Sequence, residues 1–335
     1  MSVLVALVAV GLLACLGALG AAAHGLNILF GIVLPYAAAA VFAIGFVYRV
    51  LKWAKSPVPF RIPTTCGQQK SLPWIRNAYW DNPHTLPGVL GRMFLEVFTF
   101  RTLFRNTKAG LVHETGLRYD SSKWLWASAL AFHGAFLAII IRHWRFFTQP
   151  VPAFIQYLSN VDGFFQIGLP ILYATDGVIV AGLGFLLLRR IASSQLRYIS
   201  LPADYFPVFL ILGIALTGMA MRYLPAFRVD IIGVKNVAMG WITLRPVAAN
   251  LGLMFYVHVT LVSALLAYFP FSKLMHMPGV FLSPTRNLAN NNRARRHVNP
   301  WNPPLKGHTF AEWQEEFKDK LEQAGLPYDE EAGKA

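Results

Sequence analysis

The sequence predicts an all-α protein, a polytopic bundle of about six membrane-crossing helices. Three observations carry that prediction. Hydrophobic residues make up 55% of the 335 and charged residues only 14%, where a soluble domain carries about 25% charged. Several apolar stretches run to about 20 residues, long enough to cross a bilayer. Basic residues gather in alternate loops, as they do when those loops face the cytoplasm. Helices satisfy their own backbone in lipid, and the alternating pattern of a membrane barrel is absent. The net charge of +14 follows from the basic loops; no nucleic-acid module or basic–aromatic platform accompanies it.

The first span, residues 3–22, ends in "GALGAAAHG". That ending is like a signal-peptide cleavage site, but no positive charge precedes the apolar stretch. A retained helix is expected, and cleavage after Ala23 would leave the remaining topology unchanged. The second span is 29–51. A long segment, 52–123, follows with Lys52, Lys55, Arg61, Lys70, Arg76, Arg92, Arg101, Arg105, Lys108, Arg118 and Lys123, which places it in the cytoplasm. Inside it, "GVLGRMFLEVFTFRTLFRN" sets Val89, Leu90, Met93, Phe94, Val97 and Phe98 at helical spacing between arginines. That suits a helix lying among lipid headgroups, or one docked on a partner.

The third span is 124–147, and the loop after it has no Lys or Arg. The fourth, 164–188, is followed by Arg189, Arg190 and Arg197. The fifth and sixth are 205–224 and 251–275, and the tail holds Arg286, Arg293, Arg295, Arg296 and Lys306. Even-numbered spans therefore end in the cytoplasm, and both termini are expected there. Arg228, Lys235 and Arg245, between the last two spans, run against the trend. In the tail, "TFAE" is a capping box from Thr309 to Glu312, and Gly325 with Pro327 ends that helix. The two cysteines, Cys15 and Cys66, are too few for an iron–sulfur cluster, which takes four. Any such cluster belongs on another chain. A disulfide is not expected, because Cys66 falls on the cytoplasmic side.

Nine histidines occur. His133 and His143 lie in the third span, and His258 and His276 in the sixth. The two spans run in opposite directions. His133 and His276 therefore mark an inner level, and His143 and His258 an outer one. A lone histidine in a span usually serves a helix contact or a proton relay. Two facing two at matched depths suit haem iron with two axial imidazoles, a carrier with no open position for substrate. No CxxCH is present, so the haem would be of b type. Ten residues rise about 15 Å and eighteen about 27 Å. Tilt, slanted haem planes or a kink at Pro270 must absorb the difference. His24, His84, His113, His297 and His308 fall in loops or at a span boundary, where solvent or an interface is their ordinary setting.

These residues also carry a family resemblance. "LPYAAAAVFAIGFVYR" at 34–49, the two histidines of the third span and "FPFSKLMH" at 269–276 resemble the gamma subunit of respiratory nitrate reductase. That family is a five-helix dihaem cytochrome b that oxidises quinol. The likeness covers residues 29–277, with 1–28 as an additional N-terminal helix and 278–335 as a cytoplasmic tail that docks a partner. "RIPTTCGQQKSLPWI" and "FLSPTRNLANNNRARRHVNPWN" extend it over nearly the whole chain. With them the sequence is similar to the DsrM family, the cytochrome b subunits of the membrane complex linked to dissimilatory sulfite reductase.

The resemblance implies two haem b groups, one between His133 and His276 and one between His143 and His258. It implies menaquinone as the diffusible redox partner, at the outer end. It also implies a cytoplasmic iron–sulfur subunit resembling the catalytic subunit of heterodisulfide reductase. A periplasmic multihaem cytochrome c, a ferredoxin-like subunit and a second membrane subunit complete the implied complex. The gamma subunit's lysine near the first outward loop has no clear counterpart here. Asp162 and Gln166 are candidates to bond quinone oxygens. Arg142 and Arg145 are candidates to bind haem propionates or to snorkel at the interface. Asp176, placed within the fourth span, either belongs to a proton path or pairs with an arginine or another helix.

The expected function is electron transfer between menaquinol and the iron–sulfur subunit, in an inner membrane, within dissimilatory sulfur metabolism. The terminal reduction would have no complete active site on this chain. Three alternatives stand: a cytochrome b anchor of a hydrogenase, formate dehydrogenase or heterodisulfide reductase; a haem-free proton channel or transporter; and a passive anchor for the partner.

Overall fold

The computed structural model describes residues 1–56, 68–112, 116–165, 168, 170–291, 304 and 307–327. Helices dominate. In the N-terminal part they are α1 (Ser2–Ala18), continued by a 3-10 turn to Ala21, and α2 (His24–Ala54). A wide π-turn over Leu29–Val33 interrupts α2 just before Pro35, which has no N–H to give to the previous turn. α3 (Leu86–Thr99) and α4 (Arg101–Arg105) follow, then a hairpin of β1 (Thr107–Val112) and β2 (Gly116–Ser121). α5 (Lys123–His143), α6 (Ala153–Asp162), α7 (Ala174–Ala192) and α8 (Ser194–Ile199) come next. α9 (Pro202–Tyr223), α10 (Ile231–Ile242) and α11 (Leu253–Tyr268) complete the bundle. Three further helices follow it: α12 (His276–Leu282), α13 (Pro284–Asn287) and α14 (Phe310–Gln323).

Among the described residues, five helices are long and apolar enough to cross a membrane: Ser2–Ala21, His24–Ala54, Lys123–Phe146, Pro202–Tyr223 and Leu253–Phe271. They match five of the six predicted spans. The fourth departs from its expected place. Helix α7 begins at Ala174, ten residues after the predicted start, so Asp176 lies in its first turn and not at mid-span. Gly163, Gly168 at φ 76° and Pro170 explain the delay, since each opposes helix continuation. Asp176, Arg189 and Arg190 also make α7 less apolar than the other five. It is shielded by packing between α5 and α9.

The sixth span is likewise shorter than predicted. α11 stops at Tyr268, two 3-10 turns follow, and His276 opens α12. Pro270 sits in the first of those turns and lacks the donor a continuing helix needs.

Close helix contact depends on small residues, as in membrane bundles generally. A Cβ on Gly17 would lie 2.9 Å from the Val257 Cα, one on Gly20 2.7 Å from the Tyr256 ring, and one on Gly45 2.8 Å from Pro270. These positions seat α1 and α2 against α11. Gly182 of α7 does the same against Phe132 of α5. One apolar cluster joins α5, α7 and α9 through Phe132, Ala135, Ile179, Leu183 and Ile211. Another joins α1, α9 and α11 through Val10, Leu210, Val257 and Leu261. Helix α10 is tied to α2: the Trp241 indole donates to the Gly31 carbonyl at 2.8 Å and the Tyr36 hydroxyl to the Trp241 carbonyl at 3.0 Å. Among the described residues, α5 and α11 share no extended packing with each other.

On the α3 side, residues 68–106 fold back on the bundle and on the segment around Asn290. Asn290 donates to Asn82, its backbone N–H donates to the Pro83 carbonyl at 2.7 Å, and Gln69 donates to the Asn290 side chain at 3.0 Å. Helix α3 buries Val89 and turns Leu90, Phe94 and Phe98 outward, an amphipathic arrangement as its spacing predicts. The tail helix α14 has the expected capping box at Thr309 and Glu312, and Gly325 follows it at φ 64°. The antiparallel hairpin was not anticipated from the sequence: the alternation in β2 spans only Leu117–Asp120, and every residue of that strand is exposed, so no buried face lies behind it.

Candidate functional site

Each histidine of the predicted set is held through Nδ1. His133 is bonded there to the Ala129 carbonyl at 2.7 Å, and His143 to the Ile139 carbonyl at 2.7 Å. Both acceptors lie one turn back on α5, because helical side chains lean toward the N-terminus. His276 is bonded to the Lys273 carbonyl at 2.8 Å, and His258 to the Thr217 hydroxyl at 2.9 Å. An imidazole whose Nδ1–H faces an oxygen keeps its lone pair on Nε2, the tautomer a metal ligand needs.

The structure brings one pair of these rings, His133 and His276, into direct proximity. His133 and His276 stand 6.1 Å apart between ring centroids, with planes at 84°. The helix breaks after Tyr268 and His276 follows two 3-10 turns, so the rise of about 27 Å for an unbroken helix does not apply to the His258–His276 interval. Phe100 and Phe132 close on the His133 ring edge-on, at 5.1 and 4.7 Å. Phe100 adopts the left-handed conformation (φ 49°) between α3 and α4, and the Trp126 indole donates to the neighbouring Thr99 carbonyl at 2.7 Å. His143 lies near enough to His258 to act on it electrostatically.

A bis-histidine haem fits this donor set on two counts. Two imidazoles joined end-on through one metal, with bonds of about 2.0 Å, have their ring centroids about 6 Å apart, as His133 and His276 do. The two histidines also come from segments that share no extended packing with each other among the described residues.

Beside His143 lies a charged cluster that joins four helices. Arg142 on α5 is an ion pair with Asp162 of α6 at 3.0 Å and with Asp176 of α7 at 2.8 Å. Asp162 also accepts from the Thr175 backbone N–H at 2.9 Å and the Thr175 hydroxyl at 2.6 Å. Tyr223 of α9 donates to Asp176 at 2.7 Å. The Tyr173 ring is held between the guanidiniums of Arg142 and Arg222, 3.7 and 4.2 Å from its centroid. Burial would raise the Tyr173 phenol, but a hydrogen bond from Arg145 and the charges of Arg145, Arg222 and Arg142 bring it below its ordinary range. Arg145 also donates to the Ser159 hydroxyl at 3.0 Å.

The sequence therefore named Arg142, Arg145, Asp162 and Asp176 without showing that they form one cluster. It missed Tyr173, Arg222 and Tyr223. The available signal was the polar end "RYLP" of an apolar span. Gln166, Cys66 and the tail residues from 292 to 303 lie outside the described residues. Lys235 of α10 reaches Gln149, in the loop that follows α5 and so close to the His143 end of the bundle.

The chain also matches known proteins along most of its length. The model of the nitrate reductase gamma subunit family matches residues 88–295, a stretch that includes all four histidines. A Hdr-like menaquinol oxidoreductase cytochrome b-like subunit of Archaeoglobus fulgidus is 46% identical over 299 residues, covering 85% of this chain and 89% of that protein. The subunit of the same description from Archaeoglobus profundus is 42% identical over 278 residues, covering 81% of this chain and 82% of that protein.

Proposed function

Because the chain belongs to the nitrate reductase gamma subunit family, we propose that it is a membrane cytochrome b subunit carrying electrons between menaquinol and a cytoplasmic iron–sulfur subunit. The observation that carries this reading is the 6.1 Å separation of the His133 and His276 rings, brought together from distant parts of the chain. His133 with His276 would hold an inner haem b, and His143 with His258 an outer one. When bound, each supplies a one-electron carrier whose axial positions are both filled.

The protein's own residues do the rest. The oxygen on each Nδ1 fixes the orientation of each ligand. The apolar spans exclude water, and the ends of the two-level ladder face opposite sides of the bilayer. We place the quinol site beside His143, where Asp162 and Lys235 supply polar groups; Gln166, the other sequence candidate, lies outside the described residues. Asp176 with the Tyr223 hydroxyl is a proton-bearing pair at the same end. Arg145 remains the better candidate for a haem propionate, since Arg142 already serves two carboxylates.

Both relatives carry "Hdr-like" in their descriptions, which supports a partner resembling heterodisulfide reductase. The motifs shared with DsrM point to dissimilatory sulfur metabolism and to a complex with a multihaem cytochrome c, a ferredoxin-like subunit and a second membrane subunit. The segment around Asn82 and Asn290 joins the long loop to the tail, and it is where the partner would dock.

The test is haem content and reducibility of the purified chain. Two b haems per polypeptide, reduced by a menaquinol analogue, are expected. A preparation without a Soret band, made with ample haem supply, overturns the reading in favour of a channel or transporter.

A further inference from the structure

Three of the four histidines rest on a backbone carbonyl of their own segment: Ala129, Ile139 and Lys273. No side-chain substitution removes those acceptors. His258 is different, because its Nδ1 meets a side chain of another helix, Thr217 of α9, at 2.9 Å. The direction of that bond follows from the hydroxyl. Thr217 Oγ1 lies 2.8 Å from the Gly213 carbonyl and 3.0 Å from the Ile214 carbonyl. Oxygens that close repel unless a proton lies between them, and a hydroxyl has one proton to give. The proton is therefore directed at the carbonyls of the preceding turn, and the hydroxyl oxygen accepts from His258 Nδ1–H. Gly218, the next residue, flanks the same ring: a Cβ there would lie 3.4 Å from His258 Cε1. The Ile214 backbone carbonyl of the same helix is a second hydrogen-bond acceptor for the His258 ring.

We infer that Thr217 is the positioning residue for one axial ligand, fixing the tautomer and rotation of His258 and thereby the properties of the haem bound there. The inference rests on the haem reading of the preceding section. It also identifies a lever on one redox centre alone, since none of the other three ligands has a side-chain acceptor on Nδ1. An outer partner to a metal-bound histidine raises the ligand's basicity, and its loss typically weakens metal binding by about 10–100-fold. A basic ligand favours the ferric state, so its weakening raises the reduction potential. A tenfold loss confined to the ferric state corresponds to about 59 mV for one electron.

The experiment compares wild type, T217V and T217S in the full-length protein by haem stoichiometry, low-temperature EPR of the ferric signals and redox titration. Val is nearly isosteric and lacks the acceptor; Ser keeps it. In T217V, one of two b haems is expected to shift upward by about 59 mV or more, or to be lost, with its own EPR signal altered and the other centre unchanged. T217S should resemble wild type. Two haems with wild-type potentials and signals in T217V overturn the inference and leave the haem reading intact. Should T217V lose both haems, T217S decides: native behaviour supports the hydroxyl's role, and the same loss in T217S refutes it. A wild-type protein without haem refutes the reading beneath it instead.

Discussion

Arg142 and Asp176 meet at 2.8 Å between α5 and α7, one residue before His143, and the same guanidinium holds Asp162 of α6. Only 6% of the Arg142 side chain is exposed. Replacing it with Met removes the counter-charge from two enclosed carboxylates. An uncompensated buried charge costs about 3–5 kcal/mol. R142M should lower the midpoint of thermal unfolding in detergent, and R142M/D162N/D176N should recover a large part of the loss. An R142M protein as stable as wild type would show that the cluster does not brace this end of the bundle.

The two pairings of histidines make a sorting prediction. H133A and H276A should each remove the same haem, and H143A and H258A the other. Each single variant should retain about one haem per chain by pyridine haemochrome assay, because bis-histidine ligation fails when either ligand is lost. If H133A and H276A leave spectrally different haems behind, the ring pair at 6.1 Å is not one site.

Gly20 allows Tyr256 to approach the turn after α1, where a Cβ would lie 2.7 Å from the ring. G20A should destabilise by about 1–3 kcal/mol through overpacking. G11A, where a Cβ meets nothing within 4 Å, should be neutral. Thermal melting of the two variants side by side checks this. Equal melting points would mean that the first helix is not seated on α11.

Asn290 unites Gln69, Asn82 and Pro83. N290A removes the side-chain amide that bonds Gln69 and Asn82, keeps the backbone bond to Pro83, and leaves enclosed polar groups with fewer partners, at about 1–3 kcal/mol. Faster proteolytic cleavage in residues 68–85 is expected, with haem spectra unchanged. Unaltered cleavage would show that the two segments are held together by other contacts.

Much of this was legible in the sequence, and the reasons are physical. Imidazole in an apolar helix is costly, so His133, His143, His258 and His276 stood out. The boundaries of α5 and α9 followed from apolar length. What escaped was whatever depends on residues distant in the chain. Thr217 lies 41 residues from His258, and nothing in a hydroxyl on an apolar span marks it as a histidine's partner. The Arg142 cluster needs α7 to start late, and that start is set by Gly163, Gly168 and Pro170 together. The break after Tyr268 was visible as Pro270, but its result, the return of His276 to α5, is a property of the packed chain.

Helices α5 and α11 are each anchored elsewhere, α5 on α7 and α11 on α1, α2 and α9, with no extended packing between them. The order of biogenesis follows from that. On the haem reading proposed above, helix assembly would rest on contacts made by the polypeptide alone, and porphyrin would enter between the helices afterwards. Ligand-deficient variants should then accumulate in the membrane as intact apoprotein that quality-control proteases spare.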